Sequence, residues 1–343
     1  MPKTSPTATA RTAAQSDAAR ALRRMALDED LKARVVTDPV LAGLARRIAD
    51  RYVAGENLHD ALVRARAVVR RGHAVSLELV GESVRDRQEA EQATDAFVEV
   101  AQAITDCGLP STVSLDLSHL GLLIDRGLGA ANAERVARAA AAAGTTLMLS
   151  AEGSDRTELV LDTYERVFDA CPVVGITLQA RLHRTPDDLA RVMARSGRVR
   201  LVKGAFEESE YVAVSREDDR LRSRYLALAD TLITGRHNTS IATHDLDLLD
   251  ELQQRHGSAL REPHVEFEML LGLGEDALDG LHAQGYRTRE YVVFGQEWWL
   301  YVLNRVSEQP DRLHAAVADA LGDPGGRLSR GGVEAVHPPE LRG

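Results

Sequence analysis
From about Asp17 to Arg70 apolar residues recur every three or four positions: Leu22 and Met25, then Leu41, Leu44, Ala45 and Ile48, then Leu58, Leu62, Ala65 and Val68. That is the period of one buried helix face, and no strand pattern interrupts it. Residues 17–72 are therefore expected to form a helical arm. Beyond the arm, short β-rich runs alternate with longer amphipathic stretches. Strands are expected near Val75–Leu79, Thr112–Asp116, Thr145–Leu149, Val173–Leu178, Arg198–Val202, Thr239–Ala242, Val265–Glu268 and Arg287–Val292, each followed by a helix. Eight such repeats over residues 73–312 have the size and rhythm of a closed, parallel (βα)8 barrel of the TIM type. A doubly wound sheet is the rival, but the first strand runs into Leu79-Val80-Gly81-Glu82-Ser83 with no GxGxxG turn. Residues 1–16, rich in Ala, Thr, Ser and Pro, read as a disordered tail, and 313–343 as a helix followed by a mobile tail.

Composition narrows the partners. With 52 acidic against 42 basic residues the formal net charge is −10, and an acidic surface repels nucleic acid and anionic membranes. No apolar run reaches the ~20 residues of a membrane span, and the N-terminus lacks an apolar signal core, so a cytoplasmic protein without an integral membrane segment is expected. Cys107 and Cys171 lie far apart, without CxxC or Cys/His spacing, and are expected to be buried, inert thiols. His244 has no second histidine at ligand spacing, which removes support for a metal site. GxSxG, HExxH and P-loop patterns are absent, so hydrolase readings lose their usual support.

In a barrel of this kind the chemistry collects at the C-terminal ends of the strands. Those positions carry Glu78, Asp116, Ser150 with Glu152, Gln179, Arg200 with Lys203, Thr243 with His244, Glu268 and Tyr291. Singly, each is more often a solvated loop residue or a cap; together, on one rim, they mark a site. The segment Arg198-Val-Arg-Leu-Val-Lys-Gly-Ala-Phe206 joins a strand to two cations and a Gly-Ala step, which suits an anionic cofactor that must approach the backbone. Asp245 is placed to cap the following helix. In the last helix, i,i+4 and i,i+3 spacing puts Tyr301, Arg305 and Glu308 on one side.

These segments resemble the proline dehydrogenase family, flavoenzymes that oxidise proline to pyrroline-5-carboxylate on a distorted (βα)8 barrel. The likeness runs from about Val75 to Pro310. VSLELVGES is similar to the family's LGE segment, LQARLHRTPDDL to its Gln-Ala-Tyr region, RLVKGAF to RLVKGAY, and IATHD to ATHD. VEFEMLLG is similar to EFQxLYG, and the final strand and helix to a segment ending RRxxE. The resemblance implies FAD, held by Gln179, Arg200, Lys203, Gly204, Ala205, Thr243, His244 and Glu308, with hydride passing to the flavin N5 and no metal. A monofunctional enzyme is the expectation at this length.

On the substrate side the chain departs from the pattern. The family's second-strand lysine falls on Asp116 and its third-strand aspartate on Ser150; its tyrosine after Lys-Gly-Ala is Phe206. Of the arginine pair that clamps the proline carboxylate, the first falls on Asn304 and only Arg305 remains, while Tyr291 is kept. The four charged positions that sum to +2 in the family are neutral in sum here. Losing one charge-assisted hydrogen bond, on the order of 1.5–3 kcal/mol, weakens binding of a free carboxylate by roughly ten- to a hundredfold. The leading expectation is FAD-dependent oxidation of a C–N bond in a small-molecule or carrier-bound amine or imino acid, with Tyr291, Arg305, Asp116, Ser150, Asn304 and Phe206 around the substrate. A true L-proline dehydrogenase and a non-catalytic barrel that binds a ligand or partner are the alternatives. Quinone, carrier flavoprotein and oxygen stay open as electron acceptor, and the helical arm is compatible with a homo-oligomer or with a barrel cap.

Overall fold
The computed structural model describes residues 17–81, 83–216 and 218–308. The expected terminal tails, 1–16 and 313–343, lie outside them. The described chain divides into two compact units, one of residues 52–298 and one of residues 17–51 with 299–308.

In the smaller unit, helix α1 spans 17–26, followed by α2 (Glu29–Thr37) and α3 (Pro39–Ala49). Each of the latter two starts on an aspartate that accepts orphaned main-chain N–H groups: Asp28 from Leu31, Asp38 from Val40 and Leu41. Helix α12 (Trp298–Glu308) completes the unit, and the Trp299 indole donates to the Met25 carbonyl at 3.1 Å. Helix α4 (Leu58–Arg70), capped by Asn57, belongs by contrast to the larger unit, where it packs on the first and last strands.

The larger unit is the expected barrel. Strands β1 (Ala74–Leu79), β2 (Ser111–Leu115), β3 (Leu147–Leu149), β4 (Val174–Gln179), β5 (Val199–Val202), β6 (Thr239–Ala242), β7 (Val265–Leu270) and β8 (Thr288–Phe294) close in sequence order, every pairing parallel. Helices α5 (Arg87–Asp106), α6 (Arg126–Ala142), α7 (Thr157–Ala170), α8 (Thr185–Val192), α9 (Asp219–Thr234), α10 (Leu246–His256) and α11 (Glu275–Ala283) connect them. β8 runs to Phe294, beyond the expected end near Val292, because its register with β1 continues from Ala74↔Arg289 to Leu79↔Phe294. Cys171 is buried as expected; Cys107, at the C-cap of α5, is only half-buried against the core.

Alternation along each strand sorts the two faces. Leu77, Val113, Leu115, Leu147, Ile176, Leu201, Ile241, Phe267 and Val292 point outward and join the helices in one apolar core. The opposite positions point inward and are polar: Ser76, Ser114, Thr177, Arg200, Ser240, Glu266, Glu268 and Arg289, all buried. Barrels of this type usually fill their interior with branched apolar side chains. Here charge pairs occupy it.

Candidate functional site
The inward positions form stacked layers. Nearest the N-terminal ends, Arg289 donates to both oxygens of Glu266 at 2.8 and 3.2 Å. Burial pushes the Glu266 carboxyl up, but the Arg289 and Arg198 guanidinium groups overcome it and hold the pKa at about 2. One layer higher, Arg200 meets Glu268 through Nε–Oε2 at 2.8 Å and Nη2–Oε1 at 3.0 Å, and its Nη2 also reaches Ser114 Oγ at 3.0 Å. Ser76 Oγ donates to Glu268 Oε1 at 2.8 Å. Burial alone disfavours the Arg200 charge, but Glu268 more than compensates and raises its pKa. The sequence placed Arg200 and Glu268 on the rim; they lie inside instead, because each is two residues short of its strand's mouth and alternation turns it inward.

Next to this pair the Arg200 guanidinium stacks on the Tyr291 ring, its central carbon 4.7 Å from the ring centroid. The Tyr291 hydroxyl donates to Glu78 Oε2, and Ser150 Oγ donates to the same oxygen at 2.9 Å. Burial and the Glu78 carboxylate push the Tyr291 phenol well above its usual pKa, so it stays a neutral donor. β1, β3 and β8 thus bring three polar groups together at one edge of the mouth. Asp116 stands half-buried where β2 gives way to the 3-10 turn Leu117–Leu120. Phe206 does not enter this cluster: its side chain is 38% exposed on the loop after β5.

On the opposite side, Gln179 Nε2 donates to the Glu152 carbonyl at 2.9 Å, while the buried Oε1 has no hydrogen-bond partner among the described residues. Gly204 passes beside it with φ +107°, and a Cβ there would lie 3.0 Å from Gln179 Oε1 and 2.8 Å from the Arg181 side chain. Only glycine permits both that dihedral and that approach. The Ala205 carbonyl accepts from Arg216 at 2.8 Å, and Lys203 Nζ lies 2.5 Å from Asp245 Oδ2. Asp245 also caps α10 through Leu248 N at 3.0 Å, and burial of its carboxyl is outweighed by Lys203, which lowers the pKa. Thr243 is buried and accepts from Asp245 N at 3.2 Å. His244 Nε2 accepts from Leu270 N at 3.0 Å, which places the proton of the neutral ring on Nδ1.

Asn304, Arg305 and Glu308 lie on α12 in the smaller unit. There Arg305 pairs with Glu308 at 2.9 Å and lies 5.6 Å over the Tyr301 ring, as the helical spacing suggests. Glu78 and Glu152 stood on the sequence's rim but outside its set of site residues. Glu152 binds Arg156 and the Ser118 N–H, both at 2.9 Å, and Glu78 binds Tyr291 and Ser150. The signal that could have singled out Glu78 is its position two residues after the inward Ser76.

A family model described as proline dehydrogenase matches residues 61–307. The chain is 30% identical over 288 residues to a proline dehydrogenase of Deinococcus radiodurans, covering 80% of this chain and 92% of that one. It is 29% identical over 272 residues to proline dehydrogenase 2 of Bacillus subtilis, covering 78% and 89%. Among solved structures, proline utilization A from Bdellovibrio bacteriovorus, inactivated by N-propargylglycine, superposes with a TM-score of 0.71 at 19% identity. That match covers 89% of this chain and 40% of the length of the other.

Proposed function
From the premise that this chain belongs to the proline dehydrogenase family, we propose that it uses FAD to oxidise the carbon–nitrogen bond of proline or a proline derivative to the imine. Membership makes it an oxidoreductase acting on a CH–NH donor, with a flavin as cofactor. The observation that carries the cofactor site is the unpartnered, buried Gln179 Oε1 beside the side-chain-free backbone of Gly204. An unmatched buried acceptor costs about 1–3 kcal/mol, which a ring N–H of a flat cofactor would relieve. In the barrel, Arg200, Lys203, Gly204, Ala205, Thr243 and His244 complete the residues assigned to FAD; Glu308, in the other unit, has that assignment from the family resemblance alone. The chemistry the flavin supplies when bound is acceptance of two electrons with a hydride at its N5. Lys203 brings a cation to this side of the mouth, and Asp245 orients it. Tyr291, locked as a neutral donor, lines the substrate side with its ring against Arg200.

The substrate side carries two carboxylates, Glu78 and Asp116, while the buried Arg200 is already matched by Glu268. That balance favours a substrate that brings an amine and a carboxyl group masked as an ester, amide or carrier-bound thioester. Free L-proline, giving pyrroline-5-carboxylate, is the second reading, favoured by the retention of Tyr291 and Arg305 and by the names of the relatives. We place the protein in the cytoplasm with no nucleic-acid partner, because its acidic surface repels phosphate. Among the described residues no helix is long and apolar enough to cross a membrane.

The test is the visible spectrum of the purified protein, followed anaerobically as L-proline and then L-prolinamide are added, with a quinone or dye to accept electrons afterwards. Bleaching of a flavin band by either compound is the expected result, and the preferred compound identifies the carboxyl state. A colourless protein that cannot be reconstituted with FAD sinks the reading and leaves a barrel that binds a ligand without redox chemistry.

A further inference from the structure
Deepening the function proposed above, and resting on it, we infer that Glu268 sets the oxidising strength of the bound flavin: its carboxylate offsets the Arg200 charge inside the barrel and makes the flavin a weaker hydride acceptor. Glu268 lies on β7, opposite Ala242 of β6 and Arg289 of β8. Arg200 lies on β5, opposite Thr177 of β4 and Ser240 of β6. β5 and β7 are not neighbours in the barrel, so the pair crosses the interior, where alternation has turned both side chains.

Three observations carry this. The first is the contact: Arg200 holds both Glu268 oxygens, at 2.8 and 3.0 Å, and the two residues are 4% and 3% exposed, so water screens the pair little. Glu268 is the largest source of negative charge acting on Arg200; the Glu78 carboxylate acts on it too, more weakly. The second is the sum of charge. Inside the barrel Arg198, Arg200 and Arg289 stand against Glu266 and Glu268, three positive charges against two negative, a net +1. A neutral residue at position 268 makes that +2. The third is the pattern that β7 resembles, EFQ, which has glutamine where this chain has Glu268. An amide keeps an acceptor for Arg200 and leaves its charge in force; the carboxylate keeps the acceptor and offsets the charge. The reaction reads that difference. Oxidation breaks the C–H bond beside the substrate nitrogen and forms an N–H bond at the flavin N5. The electron pair travels with the hydride, so the substrate is left as the iminium and the flavin gains one negative charge. Arg200, assigned to the flavin by the family pattern, favours that charge, and Glu268 withdraws part of the benefit. An ionic charge felt over about 10 Å at an effective dielectric constant of about 20 changes an equilibrium roughly tenfold.

The experiment uses the full chain loaded with FAD, titrated anaerobically against a reference dye of known potential while the flavin band is followed. Glu268→Gln is expected to keep its flavin and to shift the equilibrium toward the reduced form by about tenfold, a rise of about 30 mV for a two-electron couple. Glu268→Asp keeps the charge and is expected to stay within about twofold of the parent, which separates charge from packing. With the amine that bleaches the parent, L-proline or L-prolinamide, stopped-flow reduction of Glu268→Gln is expected to quicken while reoxidation by a quinone or dye slows. A residue that merely supports the wall would slow both. A potential that is unchanged or lower in Glu268→Gln, or that moves equally in Glu268→Asp, overturns the inference. Should Glu268→Gln lose its flavin, Glu266→Gln removes a carboxylate from the layer below and is expected to raise the potential by a smaller step; an unchanged potential there overturns the inference in its place. A parent chain that takes up no flavin overturns the proposed function. A parent flavoprotein whose potential ignores position 268 overturns this inference alone.

Discussion
At the scale of single residues, the Arg200–Glu268 pair shows how a polar barrel interior is made tolerable. Both residues are below 5% exposed, and each nitrogen and oxygen that faces the other is hydrogen-bonded. Removing one partner leaves a buried charge without a counter-ion. Glu268→Ala is accordingly expected to destabilise the protein by about 3–5 kcal/mol in urea unfolding. Glu268→Gln restores the residue of the EFQ pattern and keeps an acceptor for Arg200, so it should cost less than half as much. If both variants unfold at the parent's midpoint, the pair is not held as described. The sequence pointed to both residues as polar strand-end positions. It did not pair them, because residues 68 apart in the chain acquire a common partner only when the barrel closes.

At the scale of elements, the most constrained connection is the one after β5. The strand was legible from the Val-Arg-Leu-Val alternation, and its end from Lys203-Gly204. The conformation was not: Gly204 adopts φ +107°, with the Arg181 side chain and Gln179 amide packed where a Cβ would stand. Backbone strain at such a position is on the order of 1–3 kcal/mol, and the packed neighbours must also move. Gly204→Ala is expected to retain its circular dichroism while its retention of FAD on dilution falls at least about tenfold, a loss of some 1.4 kcal/mol or more. Unchanged flavin retention would separate this turn from the cofactor site. The start of α10 was more legible than this turn, because a cap needs only its own side chain and Asp245 could be read as one; the caps Asp28, Asp38 and Asn57 were not singled out. β8 was read short because a β-rich pattern gives no stopping point; pairing with β1 does.

At the scale of the whole molecule, two buried glutamates set opposite limits on pH stability. Burial pushes Glu290 up to about 7 despite Arg71 at 3.1 Å. A carboxyl raised above its unfolded value stabilises the fold fully below the unfolded pKa, and that contribution is lost as pH rises from about 4.5 through 7. Glu266, held at about 2, does the reverse: its contribution is present above about 4.5 and is lost as pH falls through 2. Thermal melting from pH 5 to 8 should therefore decline more in the parent than in Glu290→Gln, and parallel slopes would remove Glu290 as the cause. What the sequence determined by itself was whatever depends on local period and order: the arm's helical spacing, eight strand–helix repeats, and ordered motifs that place the chain among its relatives. What only the tertiary structure decided was which inward side chains meet. Glu78 lies 72 residues from Ser150 and 213 from Tyr291. Periodicity can turn each of them toward the axis, but only closure of β8 onto β1 fixes the radius at which their hydroxyls and carboxylate come within hydrogen-bonding reach.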